Sequence, residues 1–347
     1  MMKHFYQLLT LCLFLPLFQS NALVSEEEQP RPKSNARKLP DCGIPAPTIV
    51  NYGCLDIFWE KNYKRINNNY TQFSETPTKV YPTTDGGYVF ASRSQFYGGE
   101  GGYQSNYLVT KTNGNGTKLW SKVFATATNS ERLVSFVQTS DGGYILGGTV
   151  DAGISGMKTT PSQGYDDIWL IKIDANGNKV WDKSYGGSNP DYLLEMIPTS
   201  DGGFLLASSS SSPVGGDKTE AAIGGSDAWV IKINSSGIKE WDKVFGGTAD
   251  EGPRALSETN DGYLLGSFSL SGISGNKTAT SKGDNDFWVV KMGLTGTKIW
   301  DNAYGGSGSD IIETINKNAD GGFILGGFSN SSIGGDKSLN TRGLYDT

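Results

Sequence analysis

Short apolar segments separated by glycine-rich polar turns recur along most of the chain. Residues Asp201 to Phe245 contain the pattern once: an Asp-Gly-Gly turn, the run Phe-Leu-Leu-Ala, a Ser/Gly loop, then Asp-Ala-Trp-Val-Ile-Lys-Ile and Lys-Glu-Trp-Asp-Lys-Val-Phe. Apolar side chains at Trp229, Ile231 and Ile233 alternate with the residues between them, which is typical of a β-strand. Because glycine and β-branched or aromatic residues interrupt every helical period, the pattern predicts strands rather than helices.

The same pattern returns about every 60 residues, which indicates a repeat protein. The recurring positions are Trp59, Trp120, Trp181, Trp241 and Trp300; Trp169, Trp229 and Trp288, with Tyr107 in the earliest copy; and the turn residues Asp85, Asp141, Asp201, Asp261 and Asp320. A unit with one apolar face needs neighbouring units to bury that face. The tryptophans are therefore expected to pack between adjacent units, although exposed tryptophans that stack on sugar rings are an alternative.

Each unit is predicted to contain four short antiparallel strands. In the unit from Gly186 to Phe245, the strands are Tyr192–Pro198, Phe204–Ser208, Ala228–Ile233 and Ile238–Phe245. Asp-Gly and Asn-Gly turns supply the positive φ angles that tight hairpins require. The sequence thus predicts an all-β protein, a β-propeller of four-stranded antiparallel blades that is five-bladed or an incomplete larger ring. A β-helix is the main alternative.

The repeat also sets the expected domain boundaries. We expect a signal peptide over 1–22, a flexible polar leader over 23–46, and propeller repeats over 47–347. Within the repeats, 47–63 is a partial blade, 64–124, 125–185, 186–245 and 246–304 are full blades, and 305–347 is a second partial blade. The hairpin at 47–63 is a candidate to complete the last half-blade. The alternative, which we favour, is that the chain is a fragment of a larger array.

The N-terminal residues indicate export. A charged start at Lys3, an apolar run too short to span a bilayer and small residues up to Ala22 are typical of a signal peptide, with a signal anchor as the alternative. We therefore expect a secreted protein, extracellular or on the cell surface, with no integral membrane segment after cleavage. Cys42 and Cys54 would then be the remaining cysteines, and a disulfide between them is expected, with two free thiols or an external partner as alternatives.

Composition excludes several classes of site. The chain has a net charge of −6 and no basic cluster beyond the leader, which argues against nucleic-acid binding. Its single histidine, His4, lies in the signal peptide. The mature protein is therefore expected to lack Ser-His-Asp and Cys-His catalytic systems and any histidine-ligated metal.

Two sets of carboxylates recur at the end of each unit that carries the long, variable loops, where binding residues commonly gather. The first set is Asp191, Glu251 and Asp310, and the second is Asp167, Asp227 and Asp286. A ring of such groups is a candidate calcium site, because calcium prefers oxygen ligands. The alternative, which repetition in every blade favours, is a structural role in accepting backbone hydrogen bonds.

Two sets of lysines recur as well. The lysines of the third strand are predicted to point outward into solvent, and those of the Gly-Asp-Lys-Thr loops lack the spacing and the following helix of a phosphate-binding loop. These lysines are Lys111, Lys172, Lys232 and Lys291 on the strand, and Lys158, Lys218, Lys277 and Lys337 in the loops.

Several motifs resemble a known repeat family. They are Trp-Asp-Lys-Ser-Tyr-Gly-Gly-Ser-Asn-Pro-Asp, Pro-Thr-Ser-Asp-Gly-Gly-Phe-Leu-Leu, Gly-Gly-Asp-Lys-Thr and Asp-Ala-Trp-Val-Ile-Lys-Ile. Together they resemble the secreted β-propeller repeats of Bacteroidota-type bacteria over about Asp56 to Asp346. The resemblance implies type IX secretion, although the sorting domain that often ends such proteins is not seen in this sequence. It implies no catalytic residues.

We therefore expect a non-enzymatic binding scaffold whose ligand is a polysaccharide or a protein. One alternative is a carboxylate-dependent carbohydrate-active enzyme, a glycoside hydrolase or lyase, which would need two differently tuned carboxylates at one place. Another is a purely structural module within a longer adhesin-like protein.

Overall fold

The computed structural model describes residues 73–97, 103–127 and 131–339, and in these ranges the chain forms strands, turns and loops without a helix. The described chain accordingly contains no helix of the length and apolarity needed to cross a membrane. The signal peptide, the leader, the Cys42–Cys54 pair and the partial blade at 47–63 lie outside these residues. Their predicted properties stay predictions.

Eighteen strands in the described residues form five antiparallel sheets, numbered here in chain order. Sheet 1 contains β1 (Phe73–Pro82), β2 (Tyr88–Tyr97), β3 (Tyr103–Thr112) and β4 (Lys118–Phe124); sheet 2 contains β5 (Arg132–Gln138), β6 (Tyr144–Val150), β7 (Asp167–Ile173) and β8 (Lys179–Tyr185). Sheet 3 contains β9 (Asp191–Pro198), β10 (Phe204–Ser210), β11 (Asp227–Ile233) and β12 (Lys239–Phe245); sheet 4 contains β13 (Glu251–Thr259), β14 (Gly262–Ser269), β15 (Asp286–Gly293) and β16 (Lys298–Tyr304). Sheet 5 contains β17 (Asp310–Lys317) and β18 (Phe323–Ser329).

Each sheet pairs its strands in the order in which the chain makes them. The strands predicted for the unit from Gly186 to Phe245 are confirmed, with ends that differ by one or two residues. The first strands β1, β5, β9, β13 and β17 contact one another in succession, so they form the inner rim of the assembly. Successive four-stranded meanders that meet through their first strands are the blades of a β-propeller, which confirms the predicted fold class.

The hydrophobic core consists of separate layers between successive sheets. One layer joins Ile168 and Leu170 of sheet 2 to Leu206, Trp229 and Ile231 of sheet 3, and equivalent layers join the other neighbouring sheets. The third-strand rings are fully buried there, namely Trp169, Trp229, Trp288 and the equivalent Tyr107. The prediction that these tryptophans pack between units is confirmed. Truncating a buried tryptophan to alanine commonly costs about 3–5 kcal/mol, so these rings are a major source of stability.

The two ends of every sheet differ, as the sequence predicted. One end carries tight turns, such as the one at Gly202, whose φ of 83° favours glycine. The other end carries the long connections between second and third strands, which span 151–166, 211–226 and 270–285. We refer to this second end as the loop face.

The prediction that the third-strand lysines point into solvent is wrong. Both faces of the third strand pack against neighbouring sheets, so the stem of the lysine side chain is buried and only its ammonium reaches the turn. There it pairs with the aspartate of the Asp-Gly turn in the same sheet. The pairs are Lys111–Asp85 and Lys172–Asp141 at 2.8 Å, Lys232–Asp201 at 2.8 Å and Lys291–Asp261 at 2.5 Å.

Candidate functional site

The structure brings the two predicted sets of carboxylates together at the loop face. Gly246 lies between Asp227 and Glu251, and a Cβ at that glycine would be 1.8 Å from Asp227 Oδ1 and 2.8 Å from Glu251 Oε2. Gly305 lies between Asp286 and Asp310 in the same way. The three carboxylate pairs, so named below, are Asp167–Asp191, Asp227–Glu251 and Asp286–Asp310.

The member of each pair that lies on the first strand of a sheet, Asp191, Glu251 or Asp310, accepts hydrogen bonds from the connection between sheets. Glu251 Oε2 accepts the Gly247 N–H at 2.8 Å, and its Oε1 accepts the Ser269 hydroxyl at 2.7 Å. The equivalent bonds are Gly187 N–H and Ser212 Oγ–H to Asp191 Oδ2 at 2.7 and 3.0 Å, and Gly306 N–H and Ser331 Oγ–H to Asp310 Oδ2 at 2.8 and 2.7 Å. All six carboxylates are buried, which supports the structural interpretation over ligand binding.

The member of each pair that begins the third strand of a sheet, Asp167, Asp227 or Asp286, accepts a backbone N–H from the loop that precedes that strand. Asp167 Oδ2 accepts the Gln163 N–H at 2.6 Å, while its Oδ1 has no hydrogen-bond partner among the described residues. Burial, together with the nearby Asp191 carboxylate, raises the pKa of Asp167 to about 6. Burial and the Glu251 side chain raise the pKa of Asp227 in the same direction. Asp167 and Asp227 thus hold a proton more strongly than a free aspartate does.

A buried lysine, Lys158, Lys218 or Lys277, lies in the long loop of each of sheets 2, 3 and 4, beside the carboxylate pairs. The side chain of Lys218 is only 2% exposed, and its ammonium donates to Ser210 Oγ at 2.7 Å and to the Ser212 carbonyl at 2.9 Å. Its charge favours the ionised forms of Asp191 and Asp227. Among the described residues no three His, Cys, Asp or Glu side chains group as metal ligands. The calcium site stays a prediction.

A further repeated aspartate follows the fourth-strand tryptophan and was not selected from the sequence. Asp242 Oδ2 accepts the Trp229 indole N–H at 3.0 Å and the Thr219 N–H at 2.8 Å, which ties the third strand, the fourth strand and the loop together. Asp182 and Asp301 do the same in sheets 2 and 4. The recurring Trp-Asp dipeptide was the available signal.

Sequence reasoning also missed Glu131, the sheet 2 counterpart of Asp191. Glu131 is fully buried and accepts the backbone N–H and the hydroxyl of Thr126. It lies eleven residues after Trp120 rather than ten, and this one-residue insertion hid it from a fixed-spacing search.

The positions immediately after these carboxylates differ from sheet to sheet, although their surroundings repeat. They are Arg132, Tyr192, Gly252 and Ile311, and they pair across the sheet with Thr149, Ser209, Phe268 and Phe328. Side chains that maintain a repeated fold are expected to repeat with it. Side chains that depart from the repeat at one place are therefore the better candidates for a ligand site.

Such side chains gather around one pocket in the loop-face half of the described residues. The pocket has a volume of about 160 Å³ and is lined by Arg93, Arg132, Thr149, Asp166 and Tyr192, from three successive sheets. The Tyr192 hydroxyl donates to Asp166 Oδ2 at 3.2 Å. We call this the arginine pocket. Next to it in the chain, the Tyr165 side chain is 66% exposed.

A larger cavity, of about 530 Å³, lies between sheets 4 and 5. Trp300 and Tyr304 line it, and both are more than a third exposed. The equivalent Tyr185 is buried and donates its hydroxyl to the Gly237 carbonyl of the next sheet at 2.6 Å. The larger cavity thus corresponds to the place that the third and fourth strands of the next blade occupy beside the other sheets. We therefore interpret its lining as a packing surface rather than as a ligand site.

Comparison with known proteins adds little beyond the fold. No protein-family model matches the chain, and no curated protein matches it. Among solved structures, the GH43_1 enzyme from Xanthomonas citri complexed with xylose is similar at 11% identity and a TM-score of 0.38, covering 76% of this chain and 83% of that one. A mutant of the Synechocystis apocarotenoid oxygenase is similar at 10% identity and a TM-score of 0.41, covering 81% of this chain and 60% of that one. At TM-scores below 0.5 the two structures carry no argument about this chain.

Proposed function

We propose that this protein is a secreted or surface-associated, non-enzymatic β-propeller that binds a polysaccharide through its loop face. The observation that carries the proposal is the arginine pocket, where side chains that break the repeat converge from three sheets. Hydrogen-bonding side chains around a small pocket, together with an exposed aromatic ring at Tyr165, the chain neighbour of the lining residue Asp166, suit a ligand with many hydroxyl groups and an apolar ring face. The signal-like N-terminus and the family resemblance support export, with type IX secretion as the proposed route.

The carboxylate pairs do not favour the glycoside hydrolase alternative. A hydrolase needs two carboxylates that a sugar can reach, one tuned as acid and one as base or nucleophile. Here the pairs occur three times with the same surroundings, and every member is buried and bonded to the backbone. We therefore propose binding without turnover. Release of reducing ends from any polysaccharide, abolished by a single Asp or Glu substitution, would contradict this part of the proposal.

The binding proposal is tested on a panel of neutral and acidic soluble oligosaccharides, with affinities measured by isothermal titration calorimetry. We expect at least one member to bind, and we expect Tyr165→Ala to weaken that binding roughly tenfold, because a central aromatic contact often contributes more than 1 kcal/mol. Ile154→Ala is the matched control, since Ile154 is equally exposed in the same loop. No binding by any member at millimolar concentration would refute the polysaccharide ligand.

A second candidate partner, a protein, is favoured by a different observation. Each long loop presents one exposed aliphatic side chain four residues before its repeated lysine, and these side chains are 58–67% exposed. The four residues are Ile154, Val214, Ile273 and Ile333. Apolar groups repeated on one face often mark a protein-binding surface.

Substitution of all four aliphatic residues by serine tests the protein partner. The variant and the wild type are compared by surface plasmon resonance on immobilised mucin, collagen and fibronectin. The control is Val180→Ser with Ile299→Ser, which removes equally exposed aliphatic groups from the outer strands. Loss of binding in the loop variant alone supports a protein partner, and unchanged binding counts against this surface.

A further inference from the structure

The arginines of the described residues have an unusual distribution. There are only three, Arg93, Arg132 and Arg254, and all lie on the first or second strand of a sheet. Every ion pair among the described residues is made by lysine, so no arginine there is neutralised by a carboxylate within 4.0 Å. Arginine in this protein is thus not used for the structural pairing that lysine provides.

Two of these arginines face each other across the arginine pocket. Arg93 lies on β2 and Arg132 on β5, and both line the same 160 Å³ space. The Nε atom of Arg93 is buried and makes no hydrogen bond to any described residue. Burial lowers the pKa of Arg93, and the positive charge of Arg132 lowers it further. Two guanidinium groups held together with an unsatisfied donor form an arrangement that an anion would stabilise.

The remaining lining residues leave the pocket positive. Asp166 contributes one negative charge, but its Oδ2 accepts the Tyr192 hydroxyl and it forms no ion pair with either arginine. Glu131, next to Arg132 in the chain, is turned away to Thr126. Thr149 and Tyr192 add neutral hydroxyl groups. Among the lining residues two positive charges stand against one negative charge, and the Asp151 carboxylate outside the lining also acts on Tyr192.

The planar guanidinium fork matches the geometry of a carboxylate, and Arg–carboxylate contacts are charge-assisted hydrogen bonds. The pocket volume is below the roughly 300–1,000 Å³ of sites that enclose whole small molecules. The pocket is suited to one anionic group of a larger ligand, with the rest of the ligand lying outside the pocket. We propose that Arg93 and Arg132 form a subsite for the carboxylate group of an acidic saccharide, an inference that rests on the proposed polysaccharide function.

The test compares two probes that differ only in the carboxylate. Tetragalacturonate and its fully methyl-esterified form have the same sugar backbone, and the ester removes the negative charges. Calorimetric titration at low salt is expected to show at least tenfold tighter binding of the free acid. That preference should shrink as salt is raised, because ions screen exposed charges.

Arg132→Gln is the diagnostic variant, since Arg132 is exposed and its replacement leaves the core intact. It is expected to remove the preference for the acid while leaving thermal unfolding unchanged. Arg254→Gln is the matched control. Arg254, on β13, lies over the ring of Phe268 and does not line the pocket. It should retain the preference.

The outcomes separate the two levels of the proposal. Equal affinity for acid and ester, or a preference that survives in Arg132→Gln, would overturn the carboxylate subsite. If neutral oligosaccharides bind while the acid gains nothing, the polysaccharide function stands and only the subsite is wrong. If neither the acid, the ester nor any neutral oligosaccharide binds, both are wrong.

Discussion

The indole N–H of Trp229 donates to Asp242 Oδ2 at 3.0 Å, which joins the third and fourth strands inside sheet 3. The same carboxylate also accepts the Thr219 N–H, so one buried side chain satisfies groups from two strands and the long loop. Because the same bonds recur at Asp182 and Asp301, the blade is held by polar contacts as well as by its apolar layers.

Replacing Asp242 by alanine should destabilise the protein strongly. The substitution leaves the buried Trp229 N–H without an acceptor, which costs about 1–3 kcal/mol, and it removes the bonds that Thr219 and Lys239 make to the same carboxylate. We expect a loss of about 3 kcal/mol in the free energy of unfolding, measured by urea denaturation. Asp284, an exposed aspartate of the long loop in sheet 4, serves as control, and Asp284→Ala should change the same quantity by less than about 0.5 kcal/mol. Equal effects of the two substitutions would show that the network contributes little.

The stability of the protein should be greater at mildly acidic pH than at neutral pH. The folded-state pKa of Asp167 is raised, mainly by burial, from the ordinary 3.8 to about 6. A group with a raised folded-state pKa stabilises the fold fully below its unfolded pKa, and that contribution is lost as the pH rises through about 6. The pKa of Asp227 is raised in the same way. We expect the melting temperature to fall between about pH 4 and pH 6.5.

Other groups set the acid limit of this stability. Burial alone would raise the pKa of Asp182, but hydrogen bonds from Lys179, Thr159 and Trp169 lower it to about 2. The ionised Asp182 therefore stabilises the fold above its unfolded pKa, and this contribution to stability is lost below about pH 4. The stability of the protein should decline again below that pH. Asp227→Asn should flatten the decline between pH 4 and pH 6.5 without altering the acid limit. A melting temperature that rises steadily from pH 4 to pH 7 would contradict the raised pKa values.

The buried Lys218 should be essential to folding. Methionine fills a similar volume but cannot neutralise Asp191 and Asp227 or donate to Ser210, and breaking a buried charged network costs about 3–5 kcal/mol. We therefore expect Lys218→Met to lower the free energy of unfolding by that amount, measured with urea. Lys243→Met is the control, because Lys243 pairs with Glu220 in a more exposed place and should cost about 1 kcal/mol or less. A Lys218→Met protein as stable as the control would mean that the carboxylates do not depend on the ammonium.

The two outer-strand tryptophans Trp241 and Trp300 should respond differently to truncation. Trp241 donates its indole N–H to the Leu294 carbonyl of sheet 4 at 3.0 Å and packs against Gly296. Trp300 faces the larger cavity and is 40% exposed. Trp241→Ala should cost about 2 kcal/mol more than Trp300→Ala in urea denaturation of the same chain. If Trp300→Ala costs as much, a further segment covers the larger cavity in solution.

Much of the fold could be predicted from the sequence, and so could the members of the carboxylate pairs. The alternation around Trp229 and the Asp-Gly turn at Asp201 are local signals, because side-chain alternation and positive φ angles depend on neighbouring residues only. The period of about 60 residues then places equivalent strands side by side. Glu131 was not predicted because it lies eleven residues after Trp120 instead of ten. A search at a fixed spacing therefore missed a position that is equivalent in the fold.

What the sequence by itself determined is therefore the repeating unit, its four strands and the burial of its third-strand rings. Tertiary structure alone decided which surfaces are left to a ligand. Alternation predicted an outward Lys232, but a neighbouring sheet covers that face and the lysine is buried. Arg93, Arg132 and Tyr192 lie on three sheets and share no local pattern, and only the packing of sheets around a common axis brings them to one pocket. Local periodicity records how a strand is built, whereas the approach of distant strands depends on the packing of whole sheets.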